Sequence, residues 1–313
     1  ICALYAKHLN TDLSTFTIEF DDEDLDESGI ALSLASSLGI ENRAVPFEDA
    51  VEQEWKTILF HLDQPHGDTS FIPTSVLCRE YSKHMKVALT GDGGDEIFCG
   101  YERYGDYFSS ASTAGVLDSY LKTVSVFQDQ EIQSLLVDEA YESHRSVYRL
   151  LNDFFENNSF RCPLNRLLYL DLKTILPDNN LIKPDRMGMM YSVESRNPLI
   201  DYRLIELNFK IRKTYPGFTL KYPLKKMLYD NIGPGIIPES KKTFSVPYKL
   251  LLAKVLKPNA IIEQFNRVYP ILSGILDYDK TVRKINEMNG GSEIRKLRNL
   301  MGLFYWSEAS MLS

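Results

Sequence analysis

The most constraining stretch of this sequence joins a short apolar run to a turn rich in glycine and aspartate. The run is Val87-Ala88-Leu89, and the turn is Gly91-Asp92-Gly93-Gly94-Asp95-Glu96. The apolar run predicts a buried strand, and three glycines in four positions allow a tight turn that approaches a ligand closely. A strand, a turn and a helix start in this order are typical of the ligand-binding edge of an open α/β sheet.

Three carboxylates within this turn raise the question of what balances them. Asp92, Asp95 and Glu96 repel one another, so a partner must offset their charge. Mg²⁺ does this well, because it takes oxygen ligands and shares them with substrate phosphates. A solvated acidic turn without chemistry is the alternative interpretation, since glycine and aspartate are common turn residues.

Strand and helix patterns alternate in the sequence before this turn. The strand patterns cover residues 15–20 and 42–47, and the helix patterns cover residues 27–38 and 49–62. This alternation predicts an α/β fold with a parallel, doubly wound sheet. The pattern of residues 111–175 predicts helices and polar loops instead. Within this segment we expect Phe154, Phe155 and the leucines near 167–172 to lie in the core.

Composition limits the classes of function. The chain has 313 residues, enough for a sizeable core, and a net charge of −8, which disfavours a nucleic-acid partner. Its four cysteines show no metal-binding spacing, which predicts free thiols in a reducing compartment. Neither a signal peptide nor an apolar run near the roughly 18 residues of a membrane span is visible, so we expect no membrane partner and a cytoplasmic location.

A family resemblance begins in the acidic turn. Residues 90–101, Thr-Gly-Asp-Gly-Gly-Asp-Glu-Ile-Phe-Cys-Gly-Tyr, resemble the SGDGGDE(L/I)FGGY signature of the asparagine synthetase family. Members of that family use ATP to adenylate a carboxylate and then deliver ammonia to it. One position departs, because Cys99 stands where the family usually has glycine. The resemblance implies a sheet of adenine-nucleotide α-hydrolase (PP-loop ATPase) type up to about residue 110, followed by a mainly helical part to residue 313, together forming one synthetase domain.

Two later segments extend the resemblance. Residues 176–201 are similar to the family pattern LPxxLLxKxDRMSMAxSLExRxPFLD, and their mixed charges among methionines predict ion pairs in a partly buried setting. The methionines themselves predict core packing. Residues 221–247 are similar to KxxLR(K/E)A followed by IPxxIxxRxKKGFxxP, with Ser240 near the usual arginine and Thr243 in place of glycine.

The resemblance implies a binding site for ATP and Mg²⁺. Its motif positions place Ile18, Thr90 and Gly91 at the border of the adenine and ribose. Asp95 would hold Mg²⁺ together with pyrophosphate.

The same comparison implies an acceptor site. Asp92 and Tyr101 would lie near the acyl group and ammonia, and Lys241 would stabilise the charge that develops on phosphorus. Glu194 and Arg186 would bind the acceptor, a small-molecule carboxylate.

The resemblance also implies elements that this sequence does not contain. In relatives, an SGGxDSS pyrophosphate loop opens the helix that corresponds to residues 1–9, and a glutaminase domain supplies ammonia. Neither motif occurs here, so we expect residues 1–313 alone to be inactive. A homodimer is one assembly that we expect of the complete enzyme. A degenerate, non-catalytic relative that serves as a binding module or scaffold is the alternative.

Overall fold

Contacts within the chain divide it into two units. The structure is a computed structural model that describes residues 13–47, 51–108, 112–211, 219–233, 244, 246–288 and 293–311. Unit 1 consists of the described residues within Ile1–Asp49, Pro73–Ala111 and Cys162–Ser245. Unit 2 consists of those within Ala50–Ile72, Ser112–Arg161 and Val246–Ser313. The organisation as one synthetase domain, with an α/β part up to about residue 110 and a mainly helical part after it, stays a prediction.

Unit 1 contains all the strands that the structure describes. Strands β1 (Ser14–Glu19) and β2 (Glu41–Pro46) pair in parallel and are connected by helix α1 (Ser28–Leu38). Helix α1 ends at Gly39, which has a φ of 66° and whose N–H bonds the last carbonyls of the helix. These three elements confirm the strand–helix–strand unit expected from the sequence. Ile18, Phe20, Val45 and Val76 form its apolar core.

A second parallel pair carries the acidic turn. Strand β3 (Val87–Leu89) pairs with β4 (Glu194–Arg196), and the two pairs are separate two-stranded sheets within the described residues. The prediction that β3 is buried is wrong, because Val87 is 41% and Leu89 is 37% exposed. In the part of the chain that the structure describes, β4 is the strand beside β3. The described residues therefore have the α/β character and the parallel pairing that we expected, and the doubly wound sheet stays a prediction.

Helices make up the rest of unit 1. They are α3 (Phe71–Tyr81), which begins at the end of unit 2, α4 (Gly94–Ile97), α8 (Pro163–Lys173), α9 (Ile182–Met190), α10 (Tyr202–Lys210) and α11 (Tyr222–Ile232). Turns of 3-10 helix cover Glu102–Tyr107 and Pro198–Ile200, and a π-helical segment covers Leu176–Leu181. Leu167, Leu168 and Leu170 are buried as expected. Of the methionines expected in the core, Met187 is buried but Met189 is 58% exposed on another face of α9.

Unit 2 is helical. Its helices are α2 (Val51–Leu62), α5 (Val116–Val124), α6 (Asp129–Gln133), α7 (Asp138–Glu156), α12 (Tyr248–Lys254), α13 (Pro258–Leu272), α14 (Tyr278–Glu287) and α15 (Ile294–Met311). Helix α13 packs on α14 and α15, and the rings of Phe265 and Phe304 stack with their centroids 4.9 Å apart. Phe155 at the end of α7 is fully buried, as expected, whereas Phe154 is half-buried.

A charged cluster connects three helices of unit 2. The Glu131 cluster consists of Glu131, Lys284, Lys296 and Glu293. Lys284 Nζ lies 3.1 Å and Lys296 Nζ 2.7 Å from Glu131 Oε1, and Lys296 also lies 2.9 Å from Glu293. Burial by itself raises the pKa of Glu131, but hydrogen bonds from Lys296, the Gln128 backbone and Lys284 outweigh it and lower that pKa to about 2.

None of the helices in the described residues is both long enough and apolar enough to cross a lipid bilayer. Cys78, Cys99 and Cys162 are free thiols, of which the first two are buried.

Candidate active site

The acidic turn, residues 91–96, follows β3 at the carboxyl end of the parallel pair. The pairing continues one residue beyond the strands, because the Thr90 N–H donates to the Arg196 carbonyl at 2.9 Å. The hydroxyl of Thr90 donates to Asp92 Oδ2 at 2.6 Å and also contacts the amide of Asn197. Thr90 thus connects the first aspartate of the turn to the residue that follows β4.

Two glycines allow the turn to pack closely. Gly93 has a φ of 85°, and a Cβ at this position would overlap the Ile200 side chain. A Cβ on Gly100 would overlap both the Asp95 carboxylate and the stem of Lys221. In contrast, no atom lies within 4 Å of the Cβ position of Gly91. The open space beside Gly91 is compatible with the ligand contact that the sequence predicts for it.

Lysines face two of the three carboxylates. Lys221 Nζ lies 2.9 Å from Asp95 Oδ2, and Lys183 Nζ lies 3.8 Å from Asp92 Oδ1. All four side chains remain partly exposed, between 15% and 34%. The charge of the turn is therefore offset by ammonium groups of the protein itself, and the described residues contain no group of three or more His, Cys, Asp or Glu placed to hold a metal ion.

The third carboxylate, Glu96, is buried and hydrogen bonded. Its Oε1 accepts from the Tyr101 hydroxyl at 2.5 Å and from the Asn180 amide at 2.6 Å. Burial raises the pKa of Glu96, although the bond from Tyr101 acts in the opposite direction. Burial and the neighbouring Glu96 also raise the pKa of Tyr101, so its phenol keeps its proton.

The ring of Tyr101 is held from one side by a cation. The guanidinium of Arg103 lies 3.8 Å from the ring centroid, and Arg103 also pairs at 3.0 Å with the buried Asp171. The hydroxyl of Tyr104 donates to the same carboxylate. Tyr101 is thus held at its ring by Arg103 and at its hydroxyl by Glu96 and Asn180. The bond to Glu96 connects Tyr101 to the acidic turn.

Ile18 lies in the other strand pair of unit 1, where it lines a small apolar cavity. The cavity has a volume of about 140 Å³ and is bordered by Phe16, Phe20, Leu77 and Phe244. Ile18 itself is only 5% exposed. Glu27 and Thr17 also line this cavity, and its volume lies below the roughly 300–1,000 Å³ of typical ligand pockets, so the role of Ile18 beside the adenine stays a prediction.

The predicted acceptor residue Glu194 lies away from the turn. Glu194 is in register with Val87, and Gly91 lies four positions further along the chain, about 13 Å away at extended spacing. The Glu194 carboxylate forms a bidentate pair with Arg196, and both side chains are more than half exposed, so the prediction of partly buried ion pairs is wrong here. Glu194 and Arg196 both belong to β4, so their side chains reach each other on the surface of one strand without being buried. Arg186 is exposed on α9.

The structure therefore groups Thr90, Gly91, Asp92, Asp95 and Tyr101, through direct bonds or sequence adjacency, and leaves Glu194 outside that group. The acceptor-binding roles of Glu194 and Arg186 stay predictions. Lys241 lies outside the described residues, as do Ser240 and Thr243.

Sequence reasoning missed several partners of the turn. Lys183 and Lys221 each occupy a lysine position of the family patterns, which was the available signal. Asn180 had no such signal, because the pattern LPxxLL has leucine at its place. Its contact with Glu96 spans 84 positions of sequence.

An acidic turn at the carboxyl end of a parallel strand pair, faced by lysines, defines an α/β protein with a charged ligand site. The family model described as Asparagine synthase matches residues 1–289, so the chain belongs to that family.

Three curated relatives illustrate the range of the family. The chain is 28% identical over 280 residues to Asparagine synthetase (glutamine-hydrolyzing) 1 of Bacillus subtilis (strain 168), covering 78% of this chain and 44% of that protein. It is 24% identical over 296 residues to Amidase chyE of Penicillium rubens, covering 76% and 44%. It is 23% identical over 304 residues to Amidase chry2 of Gibberella zeae, covering 77% and 44%. This chain spans less than half the length of these relatives.

Proposed function

We propose that this chain is the synthetase part of an ATP-dependent ligase, which activates a carboxylate as an acyl adenylate and converts it to an amide. The observation that carries the proposal is the pairing of Asp92 with Lys183 and of Asp95 with Lys221 at the carboxyl end of a parallel strand pair. Membership of the asparagine synthase family supports the same reaction class.

The first step joins the acceptor to AMP. An oxygen of the acceptor carboxylate attacks the α-phosphorus of ATP, a new P–O bond forms, and the bond to pyrophosphate breaks. Negative charge accumulates on the phosphate oxygens, and a lysine ammonium stabilises such charge well. We assign this task to Lys241, supported by its position in the family pattern, with Lys183 and Lys221 as additional positive charges near the turn.

The second step forms the amide. Ammonia attacks the acyl carbon, a C–N bond forms, and the C–O bond to AMP breaks, while one proton leaves the nitrogen. Asp92 and Tyr101 are our candidates for contacting the reacting groups. Asp92 is a partly exposed carboxylate that can accept a proton, whereas Tyr101 keeps its own proton and acts through hydrogen bonds.

The donor set at the turn fits Mg²⁺ in one particular way. Asp95 offers a carboxylate on a side chain that is 23% exposed, and the described residues contain no group of three or more His, Cys, Asp or Glu that would hold the ion by itself. Mg²⁺ is commonly held by one or two carboxylates together with substrate phosphates. Asp95 would therefore hold the ion with pyrophosphate, and the ion would supply neutralisation of phosphate charge. Ile18, Thr90 and Gly91 would border the adenosine.

We further propose glutamine as the source of ammonia and aspartate or a related acid as the acceptor. The support is the name of the Bacillus subtilis relative, a glutamine-hydrolyzing asparagine synthetase. Two other relatives are named as amidases, so acceptors other than aspartate remain candidates for this chain.

The alternative, a non-catalytic relative, rested partly on the departure at Cys99. This residue has a φ of 56°, in the left-handed region that favours glycine. The substitution thus leaves the local backbone in a conformation that glycine favours, and this support for the alternative is weakened.

The test is exchange of labelled pyrophosphate into ATP by the complete protein, meaning this chain with any residues that its gene encodes before Ile1. We expect exchange that requires both Mg²⁺ and an acceptor carboxylate. Exchange that is absent with every acceptor tried, while ATP still binds, would favour the binding module instead. A separate assay of amide formation, with ammonium salt in place of glutamine, distinguishes a missing ammonia source from a missing synthetase activity.

A further inference from the structure

A cluster beside the acidic turn contains a residue that the family pattern does not predict. The Tyr101 cluster consists of Tyr101, Glu96, Asn180 and Asn179. The Asn180 amide nitrogen lies 2.6 Å from Glu96 Oε1 and 3.2 Å from the Tyr101 oxygen. Because an amide NH₂ carries two protons, Asn180 can donate to both groups at once.

The amide of Asn180 has a defined orientation. The NH₂ group of Asn179 donates to Asn180 Oδ1 at 2.7 Å, so the carbonyl side of Asn180 faces Asn179 and its NH₂ side faces Glu96 and Tyr101. Both asparagines lie in the π-helical segment Leu176–Leu181. Such segments are rare and frequently occur at functional sites. The π-helical segment thus places two neighbouring amides in one hydrogen-bonded chain. Asn179 donates to Asn180, and Asn180 donates to Glu96 and Tyr101.

This arrangement determines where the one proton of the Tyr101 hydroxyl goes. The NH₂ of Asn180 can only donate, so it fills an acceptor position on the Tyr101 oxygen. The hydroxyl proton is then directed at Glu96 Oε1, 2.5 Å away. Any further hydrogen bond at this oxygen must be one that the oxygen accepts. The ring cannot turn away easily, because Arg103 lies against its face.

We propose that Asn180 is a positioning residue that commits the Tyr101 proton to Glu96, so that the Tyr101 oxygen meets the substrate as a hydrogen-bond acceptor. An oxygen that accepts hydrogen bonds can bind an N–H group of the attacking amine. It cannot bind the carboxylate oxygens of the substrate, because these also only accept hydrogen bonds. Asn180 therefore acts on the amine-dependent step through Tyr101. This inference rests on the proposed amide-forming function.

The two partial reactions separate this role from a general structural one. Pyrophosphate exchange requires ATP and the carboxylate but no amine, whereas amide formation requires all three. Asn180→Leu installs the residue of the family pattern and removes the amide donor. We expect a KM for ammonia that rises about tenfold, the size of one hydrogen bond, with the exchange rate within about twofold of the parent. Asn152→Leu, on the exposed surface of α7, is the matched control and should leave both values unchanged.

A second measurement needs no substrate. Tyrosine labelled with ¹³C at Cζ reports the hydrogen bonding of the phenol, and Tyr101→Phe assigns the Tyr101 signal in the ligand-free protein. We expect Asn180→Leu to shift this signal and Asn152→Leu to leave it in place. Asn180→Ala serves the same purpose if the leucine variant does not unfold cooperatively.

The outcomes distinguish the inference from the proposed function. If the parent protein shows no exchange, the proposed function fails, and the Tyr101 signal still tests the positioning by Asn180. If the parent is active but the KM for ammonia is unchanged in the Asn180 variants, the inference is wrong. An equal loss of exchange and amide formation, or an unshifted Tyr101 signal, would also overturn it.

Discussion

Two clusters in this molecule bring carboxylates and lysines together in different ways. At the Glu131 cluster, one central carboxylate has two lysines within 3.1 Å, and the lysines hold it between three helices. At the acidic turn, two of the three carboxylates each face one lysine in the part of the chain that the structure describes, with Lys221 2.9 Å from Asp95 and Lys183 3.8 Å from Asp92. The first arrangement satisfies its charges through close contacts. The second gives each of two aspartates one lysine within the described residues, and we expect a ligand to replace that lysine.

The difference teaches how to separate a structural ion cluster from a functional one in this chain. A cluster that serves the fold should lose stability when one charge is removed, without a direct effect on catalysis. A cluster that serves the reaction should lose activity with little change in stability. Substitutions in both clusters, measured for both properties, test this assignment.

The largest expected effect comes from Asp95. In the complete protein, Asp95→Asn should lower pyrophosphate exchange by about 100-fold or more, because it removes the carboxylate proposed to hold Mg²⁺ with pyrophosphate. The free energy of unfolding should change by less than about 1 kcal/mol, since the pair with Lys221 is partly exposed. Urea unfolding and exchange kinetics measure the two quantities. Asp230→Asn, which breaks an exposed pair with Lys226, is the control and should alter neither. Loss of stability without loss of exchange would reverse our assignment.

The opposite pattern is expected at Glu131. Glu131→Gln leaves Lys284 and Lys296 without their shared carboxylate, and should lower the free energy of unfolding by about 1–3 kcal/mol. Exchange by the protein that remains folded should stay near the parent rate. Glu263→Gln, which breaks an exposed pair with Arg267 on one helix, should cost less than about 0.5 kcal/mol. Equal costs for the two variants would contradict the role given to the Glu131 cluster.

The pH dependence of stability sharpens the comparison. The pKa of Glu131 is lowered from 4.5 to about 2 in the folded chain, so the unfolded chain binds the proton more readily. The contribution of Glu131 is therefore complete above about pH 4.5 and is lost as the pH falls through about 2. We expect the difference in unfolding free energy between the parent and Glu131→Gln to shrink over that window. A difference that is constant from pH 6 to pH 2 would show that the carboxylate charge is not its cause.

The smallest expected effect concerns the backbone beside the turn. The Cys99 carbonyl accepts from the Lys221 N–H at 3.4 Å, and Cys99 has a φ of 56°. Cys99→Gly should change stability by less than about 1 kcal/mol, because relief of the positive φ offsets the lost burial of the thiol. Cys99→Val should be less stable than the glycine variant by at least about 1 kcal/mol, since a β-branched residue is strained at this φ. Equal stabilities would mean that the backbone at residue 99 does not constrain the site.

Local patterns predicted much of unit 1 that comes before the turn. The periodicity of residues 15–47 predicted β1, α1 and β2, and Gly39 marked the end of α1. The exposure of β3 was not predictable from Val87-Ala88-Leu89. The burial of a strand depends on the elements that pack against it, and an apolar run carries no information about those elements.

The candidate site shows the same limit. Three carboxylates in the turn predicted that partners must exist, and the partners found are lysines and amides from distant segments. Asp92 and Lys183, like Asp95 and Lys221, are brought together by tertiary folding. Short-range patterns carry no information on such pairs, whereas the family motifs did mark both lysine positions. Asn180 follows from neither source, because its role depends on a π-helical turn and a buried partner.

The most direct test of the central claim follows one oxygen atom. The complete protein is supplied with ATP, Mg²⁺, ammonium and an acceptor whose carboxylate carries ¹⁸O, and the phosphorus products are analysed by mass spectrometry. Attack of the carboxylate on the α-phosphorus predicts AMP that contains one ¹⁸O, with formation slowed about 100-fold or more in Asp95→Asn. Label in inorganic phosphate together with ADP, or an unchanged rate in Asp95→Asn, would contradict adenylation at the acidic turn.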